Sequence, residues 1–232
     1  MIAEKLKTVL ENIEAAKTKR TGDDNPKDAA VTLVAVTKNH DVEAMREAID
    51  AGVTIVGENR VQEAVKKHET LERDVSWHLI GHLQTNKVKQ AVRLFDLIHS
   101  IDSEHLLTAV DEAAGKIHKV QDILIQVNLA KEDSKFGIYQ EDLPFLIKKA
   151  DAMKNVHLVG LMCIAPNYEN VEECHPLFHK MHDIFEGLKM LPLMNSEMKY
   201  LSMGMTHDYE IAVAEGANIV RVGTAIFGPR QY

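Results

Sequence analysis

Cysteine is scarce in this 232-residue chain: the two present, Cys163 and Cys174, lie in no C-x-x-C pattern, so a reducing cytoplasm is the expected compartment. Long apolar runs are missing as well. No stretch approaches the ~20 residues of a membrane helix, and Met1-Ile2-Ala3-Glu4 opens no signal-like apolar region, which excludes membrane insertion. Basic residues are outnumbered, 27 Lys and Arg against 35 Asp and Glu, giving a formal net charge of −8. A sequence-independent nucleic-acid binder needs a lysine- and arginine-rich face, so the balance argues against that class. The basic pairs Lys66-Lys67 and Lys87-Val88-Lys89 read as solvated helix faces. No G-x-G-x-x-G follows the first apolar strand and no G-x-x-x-x-G-K-[ST] occurs anywhere, which argues against a dinucleotide or P-loop fold.

What is present is an ordinary globular composition, 45% hydrophobic and 27% charged. A chain of this length buries roughly three quarters of its unfolded surface. An opening amphipathic helix over about 2–20 and a turn-rich stretch Thr21-Gly22-Asp23-Asp24-Asn25-Pro26 precede strand-like runs at 31–36, 53–56, 76–80, 97–100, 122–128, 157–163, 199–202 and 218–222. Between them lie segments with helical spacing, such as Val42-Met45-Ile49 and Leu143-Leu146-Ile147-Ala150. Strict alternation without a long polar linker predicts an α/β fold, a (β/α)8 TIM-type barrel with an additional N-terminal helix, in one domain spanning 1–232.

In such barrels the chemistry sits at the C-terminal ends of the strands. The run Val31–Val36 ends in Thr37-Lys38, and strand alternation puts Lys38 on the face of Val34 and Val36, toward the apolar interior. Its stem can lie on apolar surface while the head reaches water. Alternatively it is a partly desolvated amine, nucleophilic toward an aldehyde. Gly57-Glu58-Asn59-Arg60 and Gly81-His82 follow the second and third strands. Ser202-Met203-Gly204 and Gly223-Thr224 end the seventh and eighth, with hydroxyls, uncovered backbone N–H groups and helix starts expected near Thr206 and Thr224, where barrels commonly hold a phosphate. Arg221 shares a strand face with Ile219 and Gly223, and a permanent charge on an inward face needs an acceptor.

A reactive lysine, a phosphate cradle and a fixed cation together suit pyridoxal 5′-phosphate: a Schiff base at Lys38, the phosphate on Ser202, Gly204, Gly223 and Thr224, and Arg221 at the pyridine nitrogen. Ala35-Val36-Thr37-Lys38, Gly57-Glu58-Asn59 with Val61-Gln62-Glu63, Trp77-His78 with Gly81-His82-Leu83-Gln84 and Asn86-Lys87, Leu201-Ser202-Met203-Gly204-Met205 and Val220 to Gly228 resemble the pyridoxal phosphate homeostasis proteins, from about residue 2 to the C-terminus. The resemblance implies a barrel similar to the N-terminal domain of alanine racemase. It implies Lys38 as the Schiff-base lysine, Arg221 as the nitrogen partner, Ser202, Gly223 and Thr224 as phosphate ligands, and Asn59, His82 and Met203 lining the pocket. Arg60 stands where an aromatic is expected, and Thr206-His207-Asp208 where serine with acidic residues is commoner; both concern the pocket wall.

The family is taken to buffer and hand over pyridoxal phosphate, which makes apo forms of pyridoxal phosphate enzymes the expected recipients and a monomer the expected state. Many catalysts of this cofactor place a carboxylate at the ring nitrogen and so keep it protonated. An arginine disfavours that protonation and weakens the ring as an electron sink. The chain stops at Arg230-Gln231-Tyr232, where alanine racemases continue into a β domain whose protomer pairing supplies a second base, so little or no turnover is expected. Two alternatives stay open: a weak pyridoxal phosphate-dependent amino-acid racemase, and a phosphate-binding barrel enzyme that uses Lys38 on its own substrate. His175-x-x-x-His179-x-x-His182 has the one-turn spacing of a metal pair but no third ligand, so no metal is expected and a solvated helix face is. His78 is expected to pack, the methionines to fill the core, and Cys163 to be unreactive.

Overall fold

The computed structural model describes residues 1–229. Its eight strands pair in sequence order into a closed parallel barrel. The strands are β1 Thr32–Val36, β2 Ile55–Glu58, β3 Ser76–Leu79, β4 Leu97–Ile101, β5 Gln121–Val127, β6 Val156–Cys163, β7 Ser196–Met205 and β8 Ile219–Val222. Closure is made by β8 against β1, with Val34 beside Arg221 and Ala35 beside Val222. The helices are α1 Ile2–Lys17, α2 Val42–Asp50, α3 Val61–Leu71, α4 Val88–Leu94, α5 Glu104–Gly115, α6 Leu143–Asp151, α7 His175–Lys189, α8 Tyr209–Ala214 and α9 Thr224–Phe227.

Strand alternation divides the core into two layers. Val34, Val36, Ile80, Leu97, Leu124, Val159, Met162 and Ile219 fill the barrel lumen. The intervening residues, including Ala35, Leu79, Ile98, Ile125, Leu161, Leu201 and Val220, pack outward against the helices. Each apolar side chain taken fully out of water contributes about 1.5–3 kcal/mol. The opening helix buries Leu6, Val9, Ile13 and Ala16 along one stripe and packs on α8, α9 and α2.

Element boundaries differ most from the sequence expectation in three places, the other strands shifting by a residue or two. Helix α1 ends at Lys17, because Arg20 is drawn inward, where its guanidinium donates to the carbonyls of Pro26, Ala29, Val213 and Ala217. Strand β2 runs through Gly57 and Glu58, which pair with His78 and Leu79. Strand β7 extends to Met205, its ladder to β8 irregular between Ser202 and Met205. Gly204 makes that extension possible: its φ is +93°, and a Cβ there would lie 2.5 Å from Cβ of Ala212 on α8. No described helix is long and apolar enough to cross a membrane.

Candidate functional site

The C-terminal mouth of the barrel is built on two buried polar networks, one behind Lys38 and one beneath it. Lys38 itself is half-buried, two residues past the end of β1 at Val36, in a turn closed by His40 N–H on the Thr37 carbonyl and continued by Asn39 at φ +62°. Behind the strand, Thr37 Oγ1 donates to Glu58 Oε1 at 2.5 Å. Lys67, on α3, donates to the Thr37 carbonyl, to Glu58 Oε1 and to Glu63 Oε1, each at 2.7 Å. Asn39 N–H closes the ring on Glu63 Oε1. The residues on both sides of Lys38 are therefore held by one cation and two carboxylates, so little freedom is left to the backbone that carries the amine.

Burial pushes the Glu58 carboxyl up, and the Lys67 ammonium and Thr37 hydroxyl hold it partly down. For Glu63 burial is also the largest single influence, but the Lys67 ammonium and the Asn39 N–H together bring it below the usual range. Lys67 is thus no solvated lysine; its Glu58 partner is fully buried. The pattern Glu63-x-x-x-Lys67 carried the signal, since carboxylate and ammonium one turn apart face each other.

Inside the lumen, Arg221 is almost wholly buried. It donates through Nη1 to Ser202 Oγ at 2.6 Å and through Nη2 to the Cys163 carbonyl at 2.9 Å. Ser202 Oγ also meets His99 Nδ1 at 3.0 Å, and His99 Nε2 meets His78 Nδ1 at 3.0 Å. Burial pushes His78 down to about 4. Burial also holds His99 well below the ordinary imidazole range, with His78 and Arg221 acting in the same direction, so both imidazoles are neutral at physiological pH. The sequence alone marks no role for His99 and only a packing role for His78. The signal available was parity, since His99 lies on the lumen side with Leu97 and His78 with Ile80.

At the rim, Asn59 Oδ1 is buried without a hydrogen-bond partner. The His82 ring stacks on Phe136 with centroids 3.8 Å apart, and its Nδ1 lies 3.4 Å from Asp102 Oδ2. Burial raises the Asp102 carboxyl against the pull of His82. Gly223 N–H donates weakly to Thr206 Oγ1 at 3.3 Å, and a Cβ at Gly223 would crowd the Val36 carbonyl at 3.1 Å. Thr224 is exposed at the start of α9, whereas α8 begins at Tyr209, past the start expected near Thr206.

The structure thus gathers Lys38, Asn59, His82, Gly223 and Thr224 at the strand ends with Arg221 below them. Ser202 is fully buried, its hydroxyl already engaged by Arg221 and His99. Met203 has the opposite parity to Ser202 and is fully buried in the layer between sheet and helices, so its side chain is not part of the lumen. Gly204 faces α8. Cys163 is buried and its thiol pushed up to about 12 by that burial, as suits a packing residue. His175 and His179 both approach Glu215, at 2.6 and 3.0 Å. His182 is buried against Gly216, and so is not on the solvated face expected of it. No group of three or more metal-ligating side chains occurs among the described residues.

The sequence matches the family model "Alanine racemase, N-terminal domain" over residues 5–231. A pyridoxal phosphate homeostasis protein of Aquifex aeolicus is 41% identical over 230 residues, which cover 99% of this chain and 98% of that protein. PipY of Synechococcus elongatus, solved without PLP, superposes with a TM-score of 0.84 at 37% identity, covering 98% of this chain and all of PipY. The PipY structure with PLP bound gives 0.82 at 36% identity over the same 98%. With its closed barrel and full-length identity of this order, the chain belongs to the pyridoxal phosphate homeostasis protein family.

Proposed function

We propose that this chain binds pyridoxal 5′-phosphate covalently at Lys38 and serves the storage and delivery of that cofactor, with little or no turnover of its own. The observation that carries the reading is the pairing of β1 with β8. It sets an amine at the rim and a buried guanidinium in the lumen on neighbouring strands, with Gly223 and Thr224 at the end of the second. PipY, solved with PLP bound, supports the cofactor's identity. The residues present suit this group: Asn59 Oδ1 lacks the donor that a bound ligand would bring, and Gly223 N–H is engaged only weakly, by the Thr206 hydroxyl at 3.3 Å.

When bound, the cofactor supplies an aldehyde that an amine captures reversibly and a ring that draws electrons from bonds at the captured carbon. Lys38 provides that amine, held in place by the clamp on Thr37 and Asn39. Gly223 N–H, the Thr224 hydroxyl and the Thr206 hydroxyl beside them take the phosphate. Ser202 is assigned to Arg221 and not to the phosphate, because its hydroxyl is already satisfied inside the lumen. Arg221, always charged, holds the ring nitrogen unprotonated and so blunts the ring as an electron sink. His82, backed by Asp102 and stacked on Phe136, walls the pocket.

The test follows the α-deuteron of labelled amino acids incubated with cofactor-loaded protein, with chiral analysis of the product, beside transfer of cofactor to an apo-enzyme acceptor. Transfer without deuteron loss is expected. Multiple turnovers per minute would restore the racemase alternative. For the phosphate contacts, Thr224→Val and Thr206→Val are each expected to weaken binding of pyridoxal 5′-phosphate by about 1–2 kcal/mol, as loss of a hydrogen bond to a charged acceptor does. Binding of dephosphorylated pyridoxal should be unchanged in both, as read by equilibrium dialysis. An equal loss for the two ligands would make these hydroxyls supports of their turns.

A further inference from the structure

We propose that His99 is a positioning residue: acting through the Ser202 hydroxyl, it aims the Arg221 guanidinium at the ring nitrogen of the bound cofactor. The proposal rests on the reading of Arg221 as partner of that nitrogen, and extends it to a residue that touches no ligand.

The hydrogen-bond directions follow from donor and acceptor counting. Arg221 has only donors, so its Nη1–H occupies one lone pair of Ser202 Oγ. The Ser202 proton then needs an acceptor, and the neighbouring nitrogen is His99 Nδ1. His99 must therefore carry its proton on Nε2, where it donates to His78 Nδ1. His78 in turn borders a cavity of about 250 Å³ at the N-terminal end of the barrel, lined also by Ser76, Asp96 and Asp122. Every donor along this line points away from Arg221. Reversing the order would leave the buried Ser202 hydroxyl proton without an acceptor.

The guanidinium is consequently anchored on two sides, by Ser202 and by the Cys163 carbonyl. Both anchors are acceptors, and the guanidinium, which carries donors only, meets the two at once. The line is not a proton path, since arginine does not surrender its proton at physiological pH. Its effect is geometric: a long side chain that loses one anchor regains rotamer freedom and no longer presents the same donor to the lumen. His99 cannot be replaced in this role by any apolar residue of its size, because an acceptor is required at the Nδ1 position. Asn can supply one there.

The experiment compares binding of pyridoxal 5′-phosphate with that of its 1-deaza analogue, in which carbon replaces the ring nitrogen. Wild type should prefer the natural ring by about tenfold, the worth of one charge-assisted hydrogen bond. His99→Phe should cut that preference to about twofold or less, and His99→Asn should restore most of it. Ser202→Ala, a smaller change in the core, should erase the preference by itself, and adding His99→Phe to it should have no further effect on the ratio. Nitrogen-15 NMR of the ligand-free protein should find His99 neutral and protonated at Nε2. A wild type with no preference would remove the Arg221 reading and this proposal with it. A wild type that discriminates, with His99→Phe or Ser202→Ala discriminating equally well, would overturn this proposal alone. A His99 protonated at Nδ1 would also overturn it.

Discussion

Lys38→Ala should yield a folded barrel that no longer captures pyridoxal 5′-phosphate covalently. Lys38 stands half-buried past the end of β1, and the residues that fix its backbone, Thr37 and Asn39, bond to Glu58, Glu63 and Lys67 through groups the substitution leaves in place. The stability change should therefore stay near 1 kcal/mol or below, the ordinary range for a substitution at a half-buried turn position outside the packed core. Binding of the phosphorylated cofactor should persist in weaker, reversible form on the Gly223 and Thr224 contacts, whereas dephosphorylated pyridoxal should hardly bind at all. Treatment of the loaded protein with borohydride, followed by peptide mapping, reads the outcome. In wild type the pyridoxyl label should be on Lys38 and in the variant no stoichiometric label should be found. Recovery of the label on exposed Lys89 or on Lys87 in wild type would defeat the assignment. Lys67 is not a competitor, since its ammonium already donates to three oxygens behind the sheet.

The barrel was legible because its evidence is local. Alternation along a strand depends only on neighbouring residues, so Val34 and Val36 facing the lumen with Ala35 behind them could be read from the run itself. The same parity contained the placement of Met203, opposite to Ser202, although the resemblance assigned both to the pocket. What could not be read depends on closure. His99 and Ser202 are separated by 103 positions and meet only because β4 and β7 face one another across the lumen. A histidine on an interior face finds its partner in the fold, and composition does not say which. Lys67 failed for a related reason. Next to Lys66 it looks like half of a solvated pair, and only the end of β2, arriving behind α3 with Glu58 on it, turns it inward. Thr206 joins the proposed phosphate contacts for want of a helix: α8 begins later than expected, so the hydroxyl is left beside Gly223 N–H.

Lys67→Met should destabilise the protein by about 3–5 kcal/mol at neutral pH, because it removes the cation from a buried ion pair and leaves its partner behind. Methionine restores most of the lost volume, which keeps cavity formation out of the comparison. Glu58 is fully buried and already has one oxygen, Oε2, without a partner. Without the ammonium it keeps only the Thr37 hydroxyl, so its carboxyl, already raised by burial, rises further. A carboxyl whose folded pKa exceeds its unfolded value holds its proton more tightly in the native state. Its contribution to stability is then fully present below the unfolded pKa and lost as pH rises through the folded one. The penalty of Lys67→Met should accordingly be smaller at pH 5 than at pH 8, and urea midpoints measured at the two values read the difference. Glu58→Gln placed on top of Lys67→Met should recover part of the loss at pH 8 and little at pH 5, since the amide carries no charge to strand. A penalty independent of pH, unmoved by Glu58→Gln, would mean that Lys67 contributes through its packed stem alone. Because the same ammonium holds the Thr37 carbonyl, Lys67→Met should also slow covalent capture of pyridoxal 5′-phosphate at Lys38 under conditions where the variant remains folded.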